Sequence, residues 1–208
     1  MEIPIIFQDE WLLVVNKPAG LLTIPTHKNE TSTLTGLLNK TLKDEAAARL
    51  HPCHRLDRET SGLIVYAKGK SSQQKMMALF HAKKVKKTYL AFIHGRMEKT
   101  SGEIKQRIEN QLAITRYRVI EQRNNFAVIE VEPLTGRTNQ IRIHFKLIGH
   151  SLVGEKKFVF RRDFKLRANR LCLHAHSLEF FHPITGRAIS LECGLPLGMK
   201  NFLEKHPD

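Results

Sequence analysis

The stretch His54-Arg55-Leu56-Asp57-Arg58-Glu59-Thr60-Ser61-Gly62 runs without interruption into the apolar residues Leu63-Ile64-Val65-Tyr66. A charged loop that opens directly onto a β-prone run is a way of presenting reactive side chains from a rigid base. Asp57 is the acidic side chain set between Arg55 and Arg58. Neighbouring guanidinium groups favour the ionised form of a carboxylate, so Asp57 is a candidate anionic nucleophile or base. The same residues also read as a surface ion pair, and the rest of the chain has to decide.

Outward from this loop, hydrophobic periodicity predicts short strands and a few helices. Residues 3–7 and 12–16 read as strands separated by the turn Gln8-Asp9-Glu10, and Lys17-Pro18-Ala19-Gly20 breaks the second. Leu34, Leu37, Leu38 and Leu42 fall at helical spacing after Thr31-Ser32-Thr33, which predicts an amphipathic helix over 32–48. After a strand at 63–67, Ser71 and Ser72 are candidate caps for a helix carrying Met76, Met77, Leu79 and Phe80. Residues 88–94 read as a strand, and β character continues around Ile104, over 113–120 and over 126–131. In the last of these Ala127, Ile129 and Val131 share one face, with Glu130 and Glu132 on the other. Residues 138–148 predict a helix capped by Thr138, with Ile141, Phe145 and Ile148 as its apolar stripe and Gly149 as its end. Further strands are expected at 171–181 and 188–192. Pro133-Leu134-Thr135-Gly136-Arg137 and Pro183-Ile184-Thr185-Gly186-Arg187 are nearly identical and both read as tight turns. Runs of strands with a few inserted helices indicate an α+β fold with a mostly antiparallel mixed sheet. No Gly, Pro or Ser-rich linker divides the chain, so a single domain over 1–208 is expected.

With 208 residues, 41% of them hydrophobic, the chain can bury a core without disulfides. No apolar run approaches a membrane span, and Gln8-Asp9-Glu10 ends the apolar start too soon for a secretory signal. A cytoplasmic protein is the expectation. Cys53, Cys172 and Cys193 are odd in number and far apart, which points to free thiols. His51-Pro52-Cys53-His54 and His174-Ala175-His176 lack the paired spacing of structural zinc, so no metal is expected. Lys and Arg total 34 against 20 Asp and Glu, a formal net charge of +14. This excess suits a polyanion and goes beyond what solubility requires. Nucleic acid is favoured over a membrane surface, because neither a basic amphipathic helix nor a lipidation signal is present. Candidate phosphate contacts are Lys83, Lys84, Lys86 and Lys87, then Arg161 and Arg162, followed by Lys165, Arg167 and Arg170 interleaved with Phe158, Phe160 and Phe164.

Five segments, in order, resemble the motifs of the RluA family of pseudouridine synthases. The loop from His54 to Gly62 is similar to that family's catalytic motif, and Asn16-Lys17-Pro18-Ala19-Gly20 to its N-terminal one. Lys87-Thr88-Tyr89-Leu90-Ala91 resembles the strand carrying its active-site tyrosine. Gly136-Arg137-Thr138-Asn139-Gln140-Ile141-Arg142-Ile143-His144 resembles its third motif, and Leu173-His174-Ala175 with His182-Pro183 to Gly186 its C-terminal segments. The resemblance covers residues 10 to about 195. It implies a pseudouridine synthase fold, with helices flanking a central catalytic cleft, that isomerises a specific uridine in structured rRNA or tRNA. It implies no cofactor, which agrees with the missing phosphate-binding and dinucleotide fingerprints, and no obligate protein partner. By the same resemblance Asp57 is the catalytic carboxylate, Arg142 the arginine that pairs with it, and Tyr89 the residue that stacks on the uracil. Arg55 fills the space of a flipped base, and Arg137, Asn139 and Gln140 are RNA-binding candidates. There are two departures. Asn139 stands where the family commonly has histidine, and there is no room for the S4-like domain that many members carry.

Other classes make different demands. A non-catalytic RNA-binding or ribosome-associated protein has no need of Asp57. A glycosidase needs a second carboxylate, for which Glu59 is the neighbour in sequence, and a metal-dependent nuclease needs a metal. Outside their motifs Tyr89 reads as a core tyrosine and Arg142 as a solvated arginine on a helix; five motifs in order favour the synthase.

Overall fold

The computed structural model describes residues 2–26, 30, 32–42 and 49–207. In chain order the elements are β1 (Ile5–Gln8), β2 (Leu12–Lys17), α1 (Leu34–Thr41), β3 (Leu50–Pro52), β4 (Ser61–Lys68), α2 (Lys70–His81) and β5 (Lys86–His94). They continue as β6 (Ser101–Ile108), β7 (Gln111–Gln122), β8 (Phe126–Pro133), α3 (Gln140–Leu147), a 3-10 turn at Arg161–Lys165, β9 (Leu173–Phe181), β10 (Ala188–Glu192) and α4 (Leu197–Lys205). Two compact units result: Met1–Lys86 with Ser177–Cys193, and Lys87–His176 with Gly194–Asp208.

In the first unit β4 pairs with β2, from Leu12↔Ala67 to Lys17↔Gly62, and also with β3, while β1 extends β2. β10 folds back on the second half of β9 across the turn at 183–187. All these pairings are antiparallel. The 2-residue alternation sorts the side chains of β2 and β4 into two buried sets. Leu12, Val14, Leu63, Val65 and Ala67 pack with Met76 of α2, Leu178, Phe180 and Cys193. Leu13, Val15, Ile64 and Tyr66 are equally buried. The Tyr66 hydroxyl meets the Thr35 hydroxyl of α1 at 3.1 Å.

The second unit is an antiparallel array in the order β5-β8-β7-β6. β6 and β7 are joined at Glu109 and Asn110, both with positive φ, the backbone of a two-residue hairpin turn. Ala127, Ile129 and Val131 share one buried face, as their spacing predicts, and Ile141 and Phe145 of α3 pack there beside Ala91, Ile93 and Ile104. Phe126 and Val128 supply a second core with Phe92, Val153, Cys172 and, from α4, Met199 and Phe202. The α+β class with mainly antiparallel pairing is thus as expected. No helix among the described residues is long and apolar enough to cross a membrane.

Three local expectations are corrected. The helix predicted over 32–48 is described over Leu34–Thr41, capped by the Thr33 hydroxyl accepting from Gly36 N at 3.2 Å; residues 43–48 lie outside the described residues. Ser71 and Ser72 are inside α2 rather than capping it, because Gly69 at φ +88° turns the chain into the helix. Thr138 does not cap α3. Asn139 occupies the N-cap in the left-handed conformation, φ 55° and ψ 23°, so the helix starts at Gln140. The short β3 and the whole of α4 were not anticipated.

Candidate active site

Asp57 lies in the connection from β3 to β4, half-exposed between exposed Arg55 and Arg58. The backbone on both sides of it is tied down. Before it, the Thr23 hydroxyl donates to Leu56 O at 3.0 Å and accepts from Leu56 N at 3.3 Å. After it, Arg58 O accepts from Gly20 N at 2.8 Å and from Lys17 Nζ at 3.1 Å. The Lys17 ammonium, fully buried, also donates to Pro18 O at 2.8 Å and Leu21 O at 2.7 Å. Thr60 N donates to the Asp57 backbone O at 3.1 Å, closing a backbone turn that begins at Asp57. His54 anchors the loop's start: its Nε2 accepts from Val65 N at 3.1 Å and its ring lies 4.5 Å from that of Phe80. An accepting Nε2 on a neutral ring places the proton on Nδ1. The Asn16-Lys17-Pro18-Ala19-Gly20 motif is therefore the clamp on the loop that follows Asp57.

In the second unit Tyr89 stands on β5 opposite Val131, half-buried against the core of Ala91, Ile129 and Ile141. Arg142 is buried on α3. Its Nε and Nη2 donate to Glu155 Oε2 at 2.6 Å and Oε1 at 2.8 Å, a two-pronged ion pair. Its Nη1 donates to Asn139 Oδ1 at 2.6 Å, and its guanidinium lies 5.2 Å from the Phe158 ring centroid. Burial pushes the Glu155 carboxyl up, but hydrogen bonds from Arg142 and the Lys157 backbone, with the Arg142 charge, outweigh it and hold the group below the usual carboxylate range. Asn139, read as an RNA contact, is thus a partner of Arg142. His144 of the same motif is fully buried, and burial holds its pKa down.

Gln140, expected as an RNA contact, is engaged within the protein. It is buried, its Oε1 accepts from the Thr135 hydroxyl and Arg137 N, and its Nε2 donates to Ile114 O and the Thr115 hydroxyl. Its amide is fully used in tying the start of α3 to β7. The other basic candidates divide by exposure. Lys83, Lys84, Arg161 and Arg162 are exposed, as is Arg137, whose Nε lies 3.4 Å from Leu112 O. Lys86 is exposed and bridges Glu179 at 2.9 Å, a surface pair of small energetic weight. Lys87 is half-buried, and burial lowers its pKa against the pull of Glu132. Arg55, Asp57, Lys83, Lys84 and Lys86 belong to the first unit; Lys87, Tyr89, Arg137, Asn139, Gln140, Arg142, Arg161 and Arg162 belong to the second. The three cysteines are buried thiols rather than disulfides, and burial pushes each up to about 12.

Glu155 and Thr23 escaped the sequence reading altogether. Glu155 sits in Gly154-Glu155-Lys156-Lys157, where a carboxylate reads as solvated; the one available hint was an isolated acid beside a glycine in an otherwise basic stretch.

A family model for RNA pseudouridylate synthase matches residues 11–147. The dual-specificity RNA pseudouridine synthase RluA of Haemophilus influenzae is 35% identical over 202 residues, covering 89% of this chain and 90% of that protein. The tRNA pseudouridine synthase C of Vibrio cholerae is 32% identical over 226 residues, covering 92% and 90%. Among solved structures, human RNA pseudouridylate synthase domain containing 4 superimposes with a TM-score of 0.83 at 26% identity, over 97% of this chain and 92% of that one.

Proposed function

The chain belongs to the RluA family of RNA pseudouridine synthases, and from that premise we propose that Asp57 is the carboxylate with which it isomerises a uridine in structured RNA. The reaction breaks the bond from the sugar's anomeric carbon to N1 of uracil, turns the base, and forms a bond from that carbon to C5. The C5 proton is lost and N1 gains one, so atoms balance with no redox step. An ionised Asp57 serves this sequence as a nucleophile at the sugar or the ring, or as a base. What supports the assignment is the backbone clamp: Thr23 holds Leu56, and Lys17 with Gly20 holds Arg58. A carboxylate so held reaches the reacting bond without first ordering its own loop.

The family resemblance gives Arg142 the part of the cation that keeps the catalytic carboxylate ionised. Tyr89 takes the part of the ring that stacks on uracil and assists loss of the C5 proton. Arg55, exposed two residues before Asp57, fills the space left by the flipped base. Exposed Lys83, Lys84, Arg161 and Arg162 neutralise phosphates. The substrate in this reading is an rRNA or tRNA stem-loop presenting one flipped uridine.

The test has two parts. Pseudouridine mapping of total RNA with and without the gene should show one or a few sites that vanish without it. The purified protein should then release tritium from that RNA labelled at uracil C5. A pure RNA binder would leave the map unchanged and release no tritium.

A further inference from the structure

Two prongs of Glu155 hold one edge of the Arg142 guanidinium, which sets both the plane and the direction of that flat cation. Asn139 takes Nη1 and the Phe158 ring lies beside the cation, so the group is restrained from three sides. Glu155 is itself held in place. Its side chain is 1% exposed, and its Oε1 accepts from the backbone N–H groups of Lys156 at 2.9 Å and Lys157 at 2.8 Å. Ahead of it Gly154 has φ +77°, and a Cβ there would fall 1.9 Å from Arg170 O, so the turn that aims Glu155 admits glycine alone. A buried ion pair gains little stability over well-packed apolar residues, whereas it does define an orientation.

We propose that Glu155 is a positioning residue for uridine isomerisation: it fixes the guanidinium of Arg142 in the direction its catalytic part requires. This rests on the part given to Arg142 above. Glu155 touches no substrate and acts only through Arg142.

The experiment compares wild type, Glu155→Gln, Arg142→Leu and the double variant in single-turnover tritium release, with RNA affinity measured alongside. Glu155→Gln is expected to lose about 10²-fold in turnover, the scale of a misplaced reactive group, with RNA affinity held within a few fold. The double variant should be no slower than Arg142→Leu alone, and Glu155→Asp should recover part of the loss. Wild-type turnover in Glu155→Gln, or a double-variant loss equal to the product of the single losses, overturns the proposal and leaves Arg142 untouched. Full turnover in Arg142→Leu removes the catalytic part of Arg142, and the present proposal with it. The Arg142 Nε–H resonance in the RNA-free protein gives a readout independent of turnover and of how Glu155→Gln folds. Slow exchange of that proton in wild type and in Glu155→Asp supports the clamp; fast exchange in wild type overturns it.

Discussion

Lys17 shows how much a single side chain contributes to the loop of Asp57. Its ammonium is buried and shared among the carbonyls of Pro18, Leu21 and Arg58. Lys17→Met takes this donor from Pro18 O and Leu21 O, each at a cost of about 1–3 kcal/mol, while Arg58 O keeps Gly20 N; the loss is partly offset because a charge is no longer buried. The expected net loss is about 3 kcal/mol in denaturant unfolding, with turnover falling further than RNA affinity because the loop after Asp57 loses its anchor. Glu155 adds a pH dependence. Its folded pKa lies below the unfolded value, so its stabilisation is fully present above the ordinary carboxylate range and disappears as the pH falls through the lowered folded pKa. The stability gap between wild type and Glu155→Gln should therefore be constant near neutrality and shrink on acidification; a gap that widens in acid would contradict the ion pair. Asp57 was recognisable as a candidate from the sequence alone because its neighbours in the loop are its context. Glu155 was not, since its burial depends on Arg142, 13 residues earlier, and on a turn that only the folded chain brings together.

Elements were legible where period and burial coincide. Ala127, Ile129 and Val131 are all buried on one face of β8, as alternation predicts. The start of α3 lies one residue beyond Thr138 because Asn is intrinsically the better cap than Thr, and Asn139 also tolerates the left-handed conformation and reaches Arg142 within the first turn of the helix. α4 went unseen because Met199 and Phe202, its buried residues, do not make a helical stripe long enough to read. The two duties of Asn139 can be separated. Asn139→Gly keeps the positive φ at little cost and removes the side chain, so thermal unfolding should stay close to wild type while turnover falls. Asn139→Ala should lose both. Gly154→Ala meets a positive φ and a backbone oxygen at once and is expected to cost about 2–3 kcal/mol. A thermal midpoint equal to wild type would show that the turn before Glu155 is not held as described.

Over the whole molecule the net charge of +14 identified the partner class but not how its sources divide. Lys86 is engaged with Glu179 and Lys87 is half-buried, details that composition cannot contain. Phosphate binding is therefore expected to rest on exposed Lys83, Lys84, Arg161 and Arg162. If these four neutralise about four phosphates, affinity should fall by about 10²-fold between 50 and 200 mM salt. A minimal hairpin bearing the target uridine should be modified nearly as well as its parent RNA; modification of intact ribosomal subunits alone would contradict this. The family's fold and chemistry were readable because five motifs in order carry them, whereas no motif encodes which uridine is chosen. The central claim is tested most directly by assaying Asp57→Asn for pseudouridine formation and RNA binding side by side. The account predicts turnover reduced by about 10³-fold or more with affinity within a few fold of wild type, and pseudouridine formed at a rate near that of wild type would contradict it.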